Sequence, residues 1–171
     1  MKGIFHSLAR ITIDPKEFLV HANNALSACL ERTSFITGAF FHIDTKNRCI
    51  KFSRAGHCPS LFYNQKDNSA GYFKNKGLGL GIVRNLSYSN YVQVNEITYS
   101  QGDILILYTD GITEATNADN DQFGYDRLKH SLETRTGLPP DEIKEGIIKD
   151  LYQFIGSENL NDDYTLVIIK F

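Results

Sequence analysis

The chain has 171 residues, 42% of them hydrophobic and 22% charged, with a formal net charge of −2 and an isoelectric point near 6.2. That balance suits one globular domain with a sizeable core and gives no basic footprint for nucleic acid or an anionic membrane. No apolar run approaches the roughly 20 residues that span a bilayer, and the N-terminus lacks the layout of a signal peptide.

Residues 2–10 read as the end of a helix. Asp14-Pro15-Lys16-Glu17 opens a second one, with Asp as N-cap, Pro at the first helical position and Glu three residues after the cap. From there Phe18, Leu19, Ala22, Leu26, Cys29 and Leu30 recur at helical spacing to about residue 31. Apolar-rich runs at 35–43 and 48–53, joined by Asp44-Thr45-Lys46-Asn47, predict a hairpin. A short strand pair is predicted at 59–64 and 71–73. Residues 88–97 alternate in the manner of a half-exposed strand, and the turn Ser100-Gln101-Gly102 feeds a buried strand over 103–109. Helices are predicted near 124–134 and 140–155, and a closing strand over 165–171. Hairpins, then two helices, then a final strand make an α+β order, not an alternating one. Cys29, Cys49 and Cys58 are an odd set without metal-ligand spacing, which reads as reduced structural thiols in a cytoplasmic protein.

Two motifs present acids at strand edges. In Leu107–Ala115, LYTDGITEA, an apolar strand ends in Asp110 followed at once by Gly111. In Asp162–Phe171, DDYTLVIIKF, an acidic pair opens the last strand. Two carboxylates brought together at strand ends repel, by roughly 4 kcal/mol at 4 Å and an effective dielectric of 20. A hard divalent cation removes that cost and prefers oxygen ligands. The plainer reading is that Asp110 starts a turn with Gly111 and that Asp162 caps a loop.

Taken with FGYDRL at 123–128, RAGHCP at 54–59 and LGLGI at 78–82, these motifs resemble, in order, the SpoIIE-type branch of the metal-dependent serine/threonine phosphatases (PPM family). The resemblance implies a PPM-type sandwich of antiparallel β-sheets flanked by α-helices. It also implies that residues 1–171 form a single domain lacking its N-terminal strands. The family's first metal-binding segment, which supplies an acid and a glycine carbonyl, has no counterpart here.

The implied chemistry is hydrolysis of a phosphoserine or phosphothreonine on a bacterial signalling protein, an anti-sigma-factor antagonist, by a water that two Mn²⁺ or Mg²⁺ ions activate. The implied metal ligands are Asp110 and Asp162, with Thr109, Gly111 and Asp163 supporting them. His57 reads first as a loop histidine bonded to backbone and second as a candidate general acid. Glu114 is an outer water contact or a solvated turn residue, and His6, His21, His42 and His130 read as ordinary. With its ligand set short, the chain is expected to bind metal poorly, to turn over little and to pair with a second copy through residues 1–31. The alternative is a non-catalytic domain that binds a phosphoprotein or transmits a signal.

Overall fold

In the computed structural model, residues 2–157, 160 and 162–171 are described. In chain order the elements begin with α1 (Lys2–Leu8), α2 (Pro15–Cys29), β1 (Gly38–Asp44), β2 (Cys49–Ala55), β3 (Leu61–Asn64) and β4 (Ser69–Tyr72). A 3₁₀ helix (Leu86–Tyr91), β5 (Val94–Thr98), β6 (Ile104–Tyr108), α3 (Asp110–Thr113), α4 (Gly124–Glu133), α5 (Pro140–Ile155) and β7 (Leu166–Lys170) follow. They fall into two units, Met1–Pro59 with Lys74–Tyr99 and Ser60–Phe73 with Ser100–Phe171. No helix among the described residues is long and apolar enough to cross a membrane.

The first unit is the antiparallel sheet β1-β2-β5 with α1 and α2. Asp14 caps α2 as its sequence predicts, accepting from the amides of Lys16 and Glu17 at 2.9 Å each. Glu17 closes the cap through a relay: it accepts from the Thr12 hydroxyl (2.7 Å), which itself accepts from the Asp14 amide (3.1 Å). The helix buries Phe18, Leu19, Ala22 and Leu26, each large side chain contributing about 1.5–3 kcal/mol on leaving water. Phe18 stacks on Phe40 of β1, with ring centroids 4.0 Å apart.

The C-terminal end of α2 has no basic residue of its own. Arg84 serves instead, donating to the carbonyls of Ser27, Leu30, Glu31 and Ser34. A cation at that end complements the helix dipole. Fully buried Asn23 ties the same loop to the helix, donating to the Val83 carbonyl (2.9 Å) and accepting from the Gly81 amide (2.8 Å).

The strand predicted over 88–97 is corrected here: only Val94–Thr98 is strand, and Leu86–Tyr91 is 3₁₀ helix. Asn85 starts that turn by accepting from the Ser87 amide (3.0 Å). Tyr88 drops into the core and donates to the Leu78 carbonyl (2.8 Å), where burial pushes its hydroxyl pKa up to about 12. A buried tyrosine anchored by its tip gave the alternation its first apolar position. The β1 strand also starts later than predicted, because Ile36 pairs instead with Leu80 in an isolated bridge.

The second unit is the antiparallel sheet β4-β3-β6-β7 with α3, α4 and α5. Its core contains Leu61, Tyr63, Ile104, Leu105, Ile106 and Ile112, with Leu128 and Leu132 from α4 and Ile143, Ile147 and Leu151 from α5. Ser131 of α4 donates to Asp150 of α5 (2.7 Å), and Arg135 pairs with the same carboxylate (2.8 Å). The Arg135 side chain lies where a Cβ on Gly146 would stand. Buried Asp103 fastens the entry to β6, accepting from the amides of Gln65 (2.7 Å) and Ser100 (2.8 Å).

Candidate functional site

The site follows from how β6 ends. This strand has neighbours on both sides and is apolar throughout, with Ile104, Leu105 and Ile106 fully buried. Its ladder with β7 runs from Ile104 opposite Lys170 to Tyr108 opposite Leu166. One step further, the Thr109 amide donates to the Thr165 carbonyl (3.1 Å), and the Thr165 amide donates to the Thr109 hydroxyl (2.8 Å). The chain then turns at once into α3, so Asp110 stands at the first position of a short helix with its side chain exposed. The sequence reading had a turn at this point; the extra element is a single helical turn.

Asp162 and Asp163 lie just before β7, both exposed, and the Asp163 amide donates to the Asp162 carboxylate (2.8 Å). Gly111 is buried, and a Cβ there would overlap the Asp163 carbonyl oxygen. Only glycine permits this approach of the two segments. The structure therefore brings Asp110, Gly111, Asp162 and Asp163 to the same end of the β6–β7 ladder. The Asp110 carboxylate takes no hydrogen bond or ion pair from the described residues. Glu114 is exposed one turn on, its amide donating to the Asp110 carbonyl (2.8 Å). No group of three or more His, Cys, Asp or Glu placed to hold a metal ion occurs among the described residues.

His57 belongs to the first unit, on the loop after β2. Its Nδ1 lies 3.5 Å from the Thr37 hydroxyl, and its carbonyl accepts from Arg54, which also donates twice to the Asn75 carbonyl. Gly56 beside it has φ +71° and sits so close to Gly79 that a Cβ would stand 3.0 Å from the Gly79 nitrogen. The loop that carries His57 is thus fixed by its backbone.

Sequence reasoning missed a cavity of about 450 Å³ in the first unit, lined by His42, Asp44, Cys49, Lys51 and Glu96 among others. The signal was alternation: those residues occupy every second position on paired strands and so share one face of the sheet. There the Cys49 thiol donates to Glu96 (3.1 Å), and Lys51 lies 3.5 Å from the other oxygen of the same carboxylate. The bond to Glu96, helped by burial, raises the Cys49 pKa; the same bond, with Lys51, lowers that of Glu96.

Known structures share this fold. The SiaA-PP2C domain of Pseudomonas aeruginosa superposes with a TM-score of 0.82 at 20% identity, covering 98% of this chain and 65% of that one. The manganese-presoaked phosphatase domain of SpoIIE from Bacillus subtilis gives 0.61 at 20% identity, covering 98% and 71%. Both likenesses show the fold of a PP2C-type phosphatase domain. Among curated proteins, the phosphoserine phosphatase RsbU of Bacillus subtilis is 27% identical over 170 residues, covering 99% of this chain and 49% of RsbU. The chain spans about half the length, or less, of the curated relatives it matches. The family described as stage II sporulation protein E (SpoIIE) matches residues 1–171, so the chain belongs to the SpoIIE family.

Proposed function

We propose that residues 1–171 act as one metal-dependent protein phosphatase domain, hydrolysing phosphoserine or phosphothreonine on a bacterial signalling protein, an anti-sigma-factor antagonist. The observation that carries this reading is that the segment of Asp110 and Gly111 touches the segment of Asp162 and Asp163 at one ladder end, with all three acids exposed. RsbU, named a phosphoserine phosphatase, supports the reaction class. The manganese-presoaked SpoIIE domain and RsbX in complex with magnesium support a divalent ion, Mn²⁺ or Mg²⁺.

The donors present fit that ion in kind. Asp110 and Asp162 offer hard carboxylate oxygens, and Mg²⁺ or Mn²⁺ is held through one or two carboxylates while keeping several waters. A two-ion centre asks for more donors than the described residues gather at this end. When bound, such an ion would lower the pKa of its water enough to supply hydroxide as the nucleophile near neutral pH, and would neutralise phosphoryl oxygens. The chain's own part is to hold two acids on rigid strand ends, open to a large phosphoprotein, with Gly111 allowing their segments to touch.

The test is phosphate release from a phosphoserine peptide with Mn²⁺ present, comparing the wild-type chain with Asp110→Asn. Release that depends on Mn²⁺ and vanishes in the variant, with its circular dichroism unchanged, supports the proposal; full turnover by the variant refutes it. A second reading, binding without turnover, is favoured by the small number of donors. It predicts that the phosphopeptide binds at equilibrium and is recovered intact.

Self-association through residues 1–31 belongs to the same proposal. The α1 helix packs Ile4, Phe5 and Leu8 against the core without burying any residue fully, and Ile11 and Ile13 beyond it are 73% and 61% exposed. Light scattering should report a dimer, and Ile11→Ser with Ile13→Ser should return it to monomer.

A further inference from the structure

Thr109 stands where β6 must satisfy two competing demands. Its amide makes the last rung to the Thr165 carbonyl (3.1 Å). In such an antiparallel pair the same residue's carbonyl normally accepts the return bond from its partner's amide. The Thr109 carbonyl instead accepts from the Ile112 amide (3.2 Å), the bond that bends the chain into α3. The Thr165 amide is left to the Thr109 hydroxyl, at 2.8 Å. A side chain has replaced its own backbone carbonyl in the ladder, and the carbonyl so released begins the helix.

We propose that this exchange makes Thr109 the positioning residue of the acid pair. Its hydroxyl lets Asp110 leave the strand immediately after the last rung while the chain stays fastened to the segment that carries Asp162 and Asp163. Two restraints then set the relative placement of the acids: the Thr109–Thr165 pair and the contact of Gly111 with the Asp163 carbonyl. Thr109 touches neither substrate nor ion in this role. The inference rests on the phosphatase reading of the site and adds to it the device that holds the ligands in register.

The chemistry of the exchange selects the variants. Thr109 makes no side-chain cap bond to α3, so replacing its hydroxyl removes the rung to Thr165 and no capping interaction. Thr109→Val keeps the branched shape and loses the acceptor. The amide of exposed Thr165 must then turn to water or reclaim the carbonyl; the first frees the Asp162 segment from β6, and the second breaks the first turn of α3 and moves Asp110. Thr109→Ser keeps the acceptor. Outer residues that orient metal ligands are worth about 10–100-fold in affinity when lost.

Backbone amide signals of the 171-residue chain, followed while Mn²⁺ is titrated to millimolar levels, measure the effect through paramagnetic broadening, which detects weak binding. Hydrogen exchange at the Thr165 amide gives a readout that needs no ion. The proposal expects Thr109→Val to need about 10–100-fold more Mn²⁺ for the same broadening and to lose Thr165 protection, and Thr109→Ser to keep both near wild type. Thr109→Ala repeats the test if the valine variant does not fold. Wild-type Mn²⁺ affinity in the valine or alanine variant, or a serine variant as weak as valine, overturns the proposal. Asp110→Asn separates the two levels of failure. If it broadens like wild type, or if wild type does not broaden near either acid, the site reading falls and the proposal with it.

Discussion

In the first unit Asp44 gives one carboxylate oxygen to the amides of Lys46 and Asn47 and the other to the Asn47 side chain, and Glu96 is shared between Cys49 and Lys51. In the second unit Asp110 has no such partner among the described residues, and the only described bond to the Asp162 carboxylate is from its neighbour's amide. Both groups of acids sit on sheet scaffolds, and both face a cavity or open solvent. They differ in whether the chain itself answers the charge. Where it does, the acids shape turns and strand pairs. Where it does not, the carboxylates are left to solvent.

Exchanging one acid in each cluster gives the largest contrast. Asp110→Asn should reduce Mn²⁺-dependent phosphopeptide hydrolysis by more than about a hundredfold, while Glu96→Gln leaves it unchanged. Without metal, Asp110→Asn should melt no lower than wild type, because the Asp110 carboxylate makes no hydrogen bond or ion pair with the described residues that the substitution would break. Equal activity in the two variants would erase the distinction drawn between the clusters.

The next contrast lies between two glycines of the second unit. Gly111→Ala drives a methyl into the Asp163 carbonyl, and backbone cannot step aside cheaply, so a loss of about 1–3 kcal/mol in urea unfolding is expected. At Gly146 the obstacle is the end of the flexible Arg135 side chain. Alanine there gains up to about 1 kcal/mol of helix propensity, which offsets the disturbed pair with Asp150. A Gly111 variant as stable as the Gly146 one would show that the two segments do not need their close contact.

The smallest effect is a pH dependence in the first unit. Glu96 is held below its ordinary value of 4.5, so its contribution is present above that value and is lost as pH falls through its lowered pKa. Cys49 is held above its ordinary 9.0, so its contribution is present below that value and is lost as pH rises through its raised pKa. The melting difference between wild type and Glu96→Gln should therefore be widest between those limits and narrow on both sides. The same variant should shift Cys49 alkylation to lower pH. An unchanged alkylation profile would mean that the thiol does not feel this carboxylate.

Local grammar was legible and relays were not. The Asp14 cap, the proline that follows it, and the 44–47 turn are written in adjacent residues, and each formed as read. The burial of Tyr88, the capping of α2 by Arg84 and the α3 turn each depend on a partner distant in sequence or on a hydroxyl standing in for a carbonyl, and no periodicity reports that. The acids were legible as a motif because a strand that ends in Asp-Gly is conspicuous. Their convergence was implied by family resemblance, and its physical cause, the pairing of Thr109 with Thr165, became visible only from the ladder. The mixed polar face of β1, β2 and β5 was in plain view as alternation, yet single residues such as His42 and Cys49 look ordinary until the strands are paired.

The interleaving of the two units has a consequence for synthesis on the ribosome. Neither unit is continuous: the β3–β4 hairpin interrupts the first and belongs to the second. Leu61, Phe62 and Tyr63 of that hairpin are buried in the finished fold, and β3 finds its other neighbour only when β6 has been made. Hairpins close in about 1–10 µs, whereas chain elongation at about 5–20 residues per second leaves this one waiting for seconds. Throughout that interval an apolar strand edge is exposed while the first unit's own last strand, β5, is still emerging. Nascent chains halted between β4 and β6 should therefore be the species most prone to aggregate and most in need of chaperone cover.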